Sequence, residues 1–97
     1  MCTSKDCISI LKDNMPRIRS EFGVTSLCLF GSMARGDNRA DSDVDILVDM
    51  PPKIFLMSGL KDFLEQILHT SVDLVRRNPR LSSRFLNQVS YDGIKLF

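Results

Sequence analysis

Between residues 4 and 22, apolar Ile8, Leu11, Met15, Ile18 and Phe22 recur every three or four positions, a period that predicts an amphipathic helix. Pro16 cannot donate a backbone N–H, so a kink or restart is expected there, and Gly23 closes the second piece. Residues 24–30 read as a first strand, 32–35 as a short helix and 36–42 as a polar loop. Residues 44–49 form a second strand, ended by Pro51-Pro52. Leu60, Phe63, Leu64, Ile67 and Leu68 mark a helix over about 57–69. Residues 71–76 alternate as a third strand, with Val72 and Leu74 on one face and Asp73 and Val75 on the other. Leu81, Phe85, Leu86 and Val89 mark a last helix over about 80–90. The tail at 93–97 is apolar, either packed on the core or offered to a partner. Strands interleaved with helices imply an α/β fold, a small mixed β-sheet flanked by helices.

Composition narrows the class without naming a function. The 97 residues are expected to form one domain with a single core. A hydrophobic share of 43% with 26% charged residues excludes a disordered chain. Net charge is +1, so no global field argues for nucleic acid or membrane binding. No apolar run reaches the ~20 residues of a membrane span, and the N-terminus lacks the h-region expected of a signal peptide. Cys2, Cys7 and Cys28 lack zinc-type spacing and read as free thiols of a cytoplasmic protein, Cys28 buried within a strand.

The chemistry concentrates around Asp43 and Asp45. One residue apart on a strand, they project to the same side while Val44, Ile46 and Val48 point into the core. Their Cα atoms then lie about 6.6 Å apart, a separation at which two carboxylates can share one hard cation or bridge a pair of ions. Ten residues upstream, Gly31-Ser32 follows the first strand. A glycine there lets a ligand approach the backbone, and the serine hydroxyl with the next N–H groups forms an anion nest. Alone, Gly-Ser caps many ordinary helices. Beside Asp-x-Asp, it places phosphate donors next to metal ligands.

Gly31-Ser32, Arg35-Gly36 and Ser42-Asp43-Val44-Asp45 resemble the signature of the minimal nucleotidyltransferases, a branch of the DNA polymerase beta-like superfamily. The similarity runs from about Ile8 to the C-terminus. It implies a polymerase beta-like fold and an antitoxin that transfers AMP from ATP to a tyrosine of a HEPN-domain ribonuclease toxin. It further implies two Mg²⁺ ions held by Asp43, Asp45 and a third carboxylate on a neighbouring strand, with Gly31, Ser32 and Arg35 at the nucleotide. Val72-Asp73-Leu74-Val75 matches the context of that third carboxylate; Asp49, which keeps the parity of Asp43 and Asp45, is its rival. Two other readings use the same residues: an aminoglycoside-type nucleotidyltransferase, and a non-catalytic module that neutralises a toxin by docking.

The remaining polar residues carry weaker signals. Asp62 and Glu65 sit on a predicted helix and read as surface, Asp41 reads as a turn former, and His69 and Tyr91 stand isolated. Arg39 divides evenly between phosphate contact and solvated loop. Arg76, Arg77, Arg80 and Arg84 form a basic cluster, three of them at i, i+4 spacing, facing solvent, ATP phosphates or an acidic partner. No aromatic stacking pair or base-reading pattern is legible, so ATP rests on the resemblance.

Overall fold

Asn14 divides the N-terminal helical run into α1 (Ser4–Asp13) and α2 (Met15–Phe22) in the computed structural model of the chain, which describes residues 4–31 and 43–97. Pro16 occupies the first turn of α2, where no intrahelical donor is required, so the expected restart falls just before it. Gly23 ends α2 in the left-handed region at φ +68°, with its N–H on the Arg19 carbonyl at 3.1 Å. The short helix and polar loop expected over 32–42 lie outside the described residues.

The chain continues through β1 (Ser26–Phe30), β2 (Val44–Asp49), α3 (Ile54–Leu68), β3 (Val72–Arg76), α4 (Ser83–Asp92) and β4 (Ile94–Lys95). The strands form one mixed sheet in the order β3-β2-β1-β4. β1 runs antiparallel to β2 and β4, whereas β2 and β3 are parallel and joined through α3. The α/β architecture read from the sequence is therefore the one observed.

One face of the sheet carries the main core. Leu27 and Leu29 of β1, Val44, Ile46 and Val48 of β2, and Val72 of β3 cluster with Leu11, Ile18, Leu60, Leu64 and Leu68 from the first three helices. α3 starts three residues earlier than the expected 57–69 because its first turn is helical yet unburied: Ile54 and Phe55 are 77% and 90% exposed. Apolar period therefore could not reveal that turn. At its other end His69 takes a left-handed φ of +56° and donates its N–H to the Glu65 carbonyl at 2.9 Å.

α4 starts later than expected. Asn78 Oδ1 accepts the Arg80 N–H at 2.8 Å and holds residues 78–80 in a turn, and Ser82 Oγ then caps the helix by accepting from Phe85 N–H at 3.1 Å. Arg76, Arg80 and Arg84 thus lie on a strand, a turn and a helix, so their spacing defines no helical face. The apolar tail is used by the fold itself. Ile94 pairs with Leu29, Leu96 N–H donates to the Leu27 carbonyl at 2.9 Å, and Ile94, Leu96 and Phe97 pack on the core.

α4 crosses the opposite face. Phe85 meets Phe30 edge-on with ring centroids 5.5 Å apart, and Leu47 and Val89 are buried outside the main core cluster. The cysteines depart from expectation: Cys28 is free but only half-buried, and Cys7 is disulfide-bonded and fully buried. Spacing could not distinguish a paired thiol from a free one among three scattered cysteines. No helix among the described residues is long and apolar enough to cross a membrane.

Candidate active site

β2 holds its carboxylates by alternation. Val44, Ile46 and Val48 are buried on the helix-covered face, so Asp45 must project to the other face, with Asp43 and Asp49 in the same parity. Asp43 precedes the strand and is exposed, and Asp45 is half-buried. The parallel ladder pairs Asp45 directly with Asp73, and Val44 with Val72. Two aspartates therefore stand side by side on neighbouring strands, facing the same way, at the end of the sheet where β2 and β3 begin.

Asp49 sits elsewhere. It pairs with Ser26 at the opposite end of the β1–β2 ladder, whereas Asp45 pairs with Phe30. Four residues of strand separate Asp45 from Asp49, about 13 Å. Asp49 also serves the backbone there, its carbonyl accepting the Thr25 N–H at 2.8 Å and the Thr25 hydroxyl at 3.1 Å.

Gly31 follows β1 at this same sheet end. It takes φ +72°, and a Cβ built on it would lie 3.0 Å from Asp45 Cγ, with the carboxylate oxygen closer still. Only glycine fits between the end of β1 and the Asp45 side chain. Ser32, Arg35, Arg39 and Asp41 lie outside the described residues.

Among the described residues, no three His, Cys, Asp or Glu side chains are gathered into a ready-made metal cluster. The strand register sets Asp45 beside Asp73, and Asp43 precedes β2 with the same parity as Asp45. The donor set is nonetheless all oxygen and rich in charge, which suits a hard divalent cation rather than zinc or copper.

Glu65 has a role its sequence context did not reveal. Half-buried, it accepts the Val72 N–H on Oε2 at 2.9 Å and so fixes the start of β3, one residue before Asp73. A lone acid on a helix carries no signal of a contact seven residues away. The basic residues are partly engaged too, Arg76 Nη1 donating to the Arg77 carbonyl at 3.2 Å. Arg77 and Lys95 lie near Cys28, where burial pushes the thiol pKa above its usual 9.0 and the two cations oppose the rise.

Comparison with known proteins identifies the family and the fold. The nucleotidyltransferase domain family matches residues 10–95. The protein adenylyltransferase MntA of Thermococcus cleftensis is 40% identical over 80 residues, spanning 80% of this chain and 81% of its own. A solved structure described as a minimal nucleotidyltransferase superposes with a TM-score of 0.72 at 32% identity, covering 86% of both chains. A mutant of the toxin–antitoxin complex MntA–HpeT superposes with a TM-score of 0.66 at 26% identity, covering 98% of this chain and 73% of that one. The family match over residues 10–95 and the 40% identity to a relative place the chain: it belongs to the nucleotidyltransferase domain family.

Proposed function

We propose that this protein is an antitoxin that transfers AMP from ATP to a hydroxyl of a partner protein, a tyrosine of a HEPN ribonuclease toxin. The family as a whole uses divalent metal ions. The observation that carries the reading is the in-register pair Asp45 and Asp73, flanked by Asp43 and backed by Gly31. The identity to a protein adenylyltransferase and the likeness to a toxin–antitoxin complex support the acceptor class.

Asp43 and Asp45 would hold two Mg²⁺, with Asp73 sharing one of them. When bound, these ions neutralise the triphosphate and lower the pKa of the attacking hydroxyl. Gly31, with Ser32 and Arg35 of the matched motif, holds the β- and γ-phosphates through backbone and side-chain donors. Asp73 orients the acceptor hydroxyl and takes its proton. The hydroxyl oxygen attacks the α-phosphorus in line, the bond from that phosphorus to the bridging oxygen breaks, and pyrophosphate leaves. Positioning and electrostatics carry such a transfer.

An enzyme that uses ATP against a ribonuclease toxin would act in the cytoplasm, a location argued from the substrates rather than from the cysteines. Incubation with ATP, Mg²⁺ and the co-expressed partner should release pyrophosphate and add AMP to a partner tyrosine, read by mass spectrometry. A partner fully inhibited yet unmodified would favour docking alone. Transfer to an aminoglycoside with none to protein would favour the small-molecule enzyme.

A further inference from the structure

Tyr91 is the only tyrosine of the chain, and it is 89% exposed near the C-terminal end of α4. Among the described residues its side chain has no hydrogen-bond, ring or cation partner. The inward side of α4 is marked by Phe85, whose ring meets Phe30, and by buried Val89. Tyr91 follows Val89 by two positions, about 200° around a helix of 3.6 residues per turn, so it stands on the outward side. Asn87 and Arg84, both exposed, lie one and two turns before it and share its stripe. No carboxylate pairs with Arg84 among the described residues, and Asp92 lines the cleft beside Gly31. The outward stripe of α4 thus presents a phenol and a guanidinium.

Resting on the nucleotidyl-transfer reading above, we propose that Tyr91 is itself an acceptor: one copy of this chain transfers AMP to Tyr91 of a second copy. α4 crosses the sheet face that carries Asp45 and Asp73, and its outward side turns the Tyr91 hydroxyl away from the chain's own carboxylates and toward another molecule. A carboxylate site loaded with ATP is anionic, and the Arg84 guanidinium beside the acceptor complements it. A phenol also yields its proton more readily than the aliphatic hydroxyls of Ser83 and Ser90 on the same helix. The Tyr91 phenolic oxygen attacks the α-phosphorus of ATP held by the other copy. The bond from that phosphorus to the bridging oxygen breaks, pyrophosphate leaves, and the phenolic proton passes to the acting copy's Asp73 carboxylate. The product is a phosphodiester joining Tyr91 to AMP.

The test is peptide-resolved mass spectrometry of the full chain after incubation with ATP and Mg²⁺, with and without the co-expressed partner. Tyr91 should gain AMP at a rate that rises with protein concentration. Tyr91→Phe should gain none while still modifying the partner; the exposed ring leaves its folding unchanged, which the melting temperature checks. Asp45→Asn and Asp73→Asn, inert alone, should be labelled at Tyr91 when mixed with the Tyr91→Phe chain. Labelling of the parent with none in those mixtures would overturn transfer between copies. AMP on Tyr91→Phe at the level of the parent would overturn the choice of residue. A modified partner beside an unmodified Tyr91, at every concentration tried, would remove this acceptor and leave the transfer reading standing. No AMP on either protein would overturn both.

Discussion

Asp73 stands directly across the parallel β2–β3 ladder from Asp45. Parallel neighbours in register present their side chains to the same face, so the two carboxylates are brought together by strand pairing. The rival acid, Asp49, follows the same alternation along β2 but belongs to the far end of the sheet. Asp73→Asn should therefore cut AMP transfer by at least tenfold while leaving ATP–Mg²⁺ binding largely in place, whereas Asp49→Asn should transfer normally. The reverse pattern in a pyrophosphate-release assay would move the third carboxylate to Asp49.

Asp43→Asn and Asp45→Asn should each abolish Mg²⁺-dependent transfer without unfolding the protein. Removing one of several crowded like charges relieves repulsion, so the melting temperature should hold or rise. Undiminished activity in either variant would refute the metal assignment.

Gly31→Ala should damage both stability and function. Its left-handed backbone costs a non-glycine residue about 1–2 kcal/mol, and the added methyl would push against the Asp45 carboxylate. The expected result is a lower denaturation midpoint together with weaker ATP binding. Parent-like binding would show that the close approach of Gly31 to Asp45 has no part in the site.

Glu65→Ala should destabilise the fold by about 1–3 kcal/mol, because it orphans the Val72 N–H at the start of β3. As Val72 precedes Asp73, transfer should fall more than the loss of folded protein explains. Denaturant titration and activity per folded molecule test the two parts separately.

Cys28 should alkylate slowly at neutral pH. The thiolate is the reactive form, and burial holds the Cys28 pKa above 9.0. Peptide-resolved iodoacetamide labelling should give a rate rising with pH and a midpoint above that value. The same shift makes stability fall as pH rises above 9.0, because the folded state then holds the proton more tightly than the unfolded chain. A midpoint at or below that of an unfolded cysteine peptide would contradict the partial burial of this thiol.

Period and punctuation in the sequence marked the described helices, the first three strands and the faces of β2 and β3. Val44, Ile46 and Val48 had to be buried, which turned Asp45 outward, and the β2 bounds of 44–49 are those observed. Pro16 and Gly23 fixed where the N-terminal helices divide and stop, since both act through the local backbone. Signals that depend on partners distant in sequence were absent from the chain. The sequence context favoured Asp73 over its rival Asp49, but strand pairing alone set the two acids at opposite ends of the sheet. Glu65 became visible only when α3 packed beside β3, and the apolar tail only when β1 offered it an edge to pair with. The contact between Phe30 and Phe85 also needed the tertiary structure: they are 55 positions apart, and their rings meet only because α4 crosses back over the sheet face that carries the carboxylates.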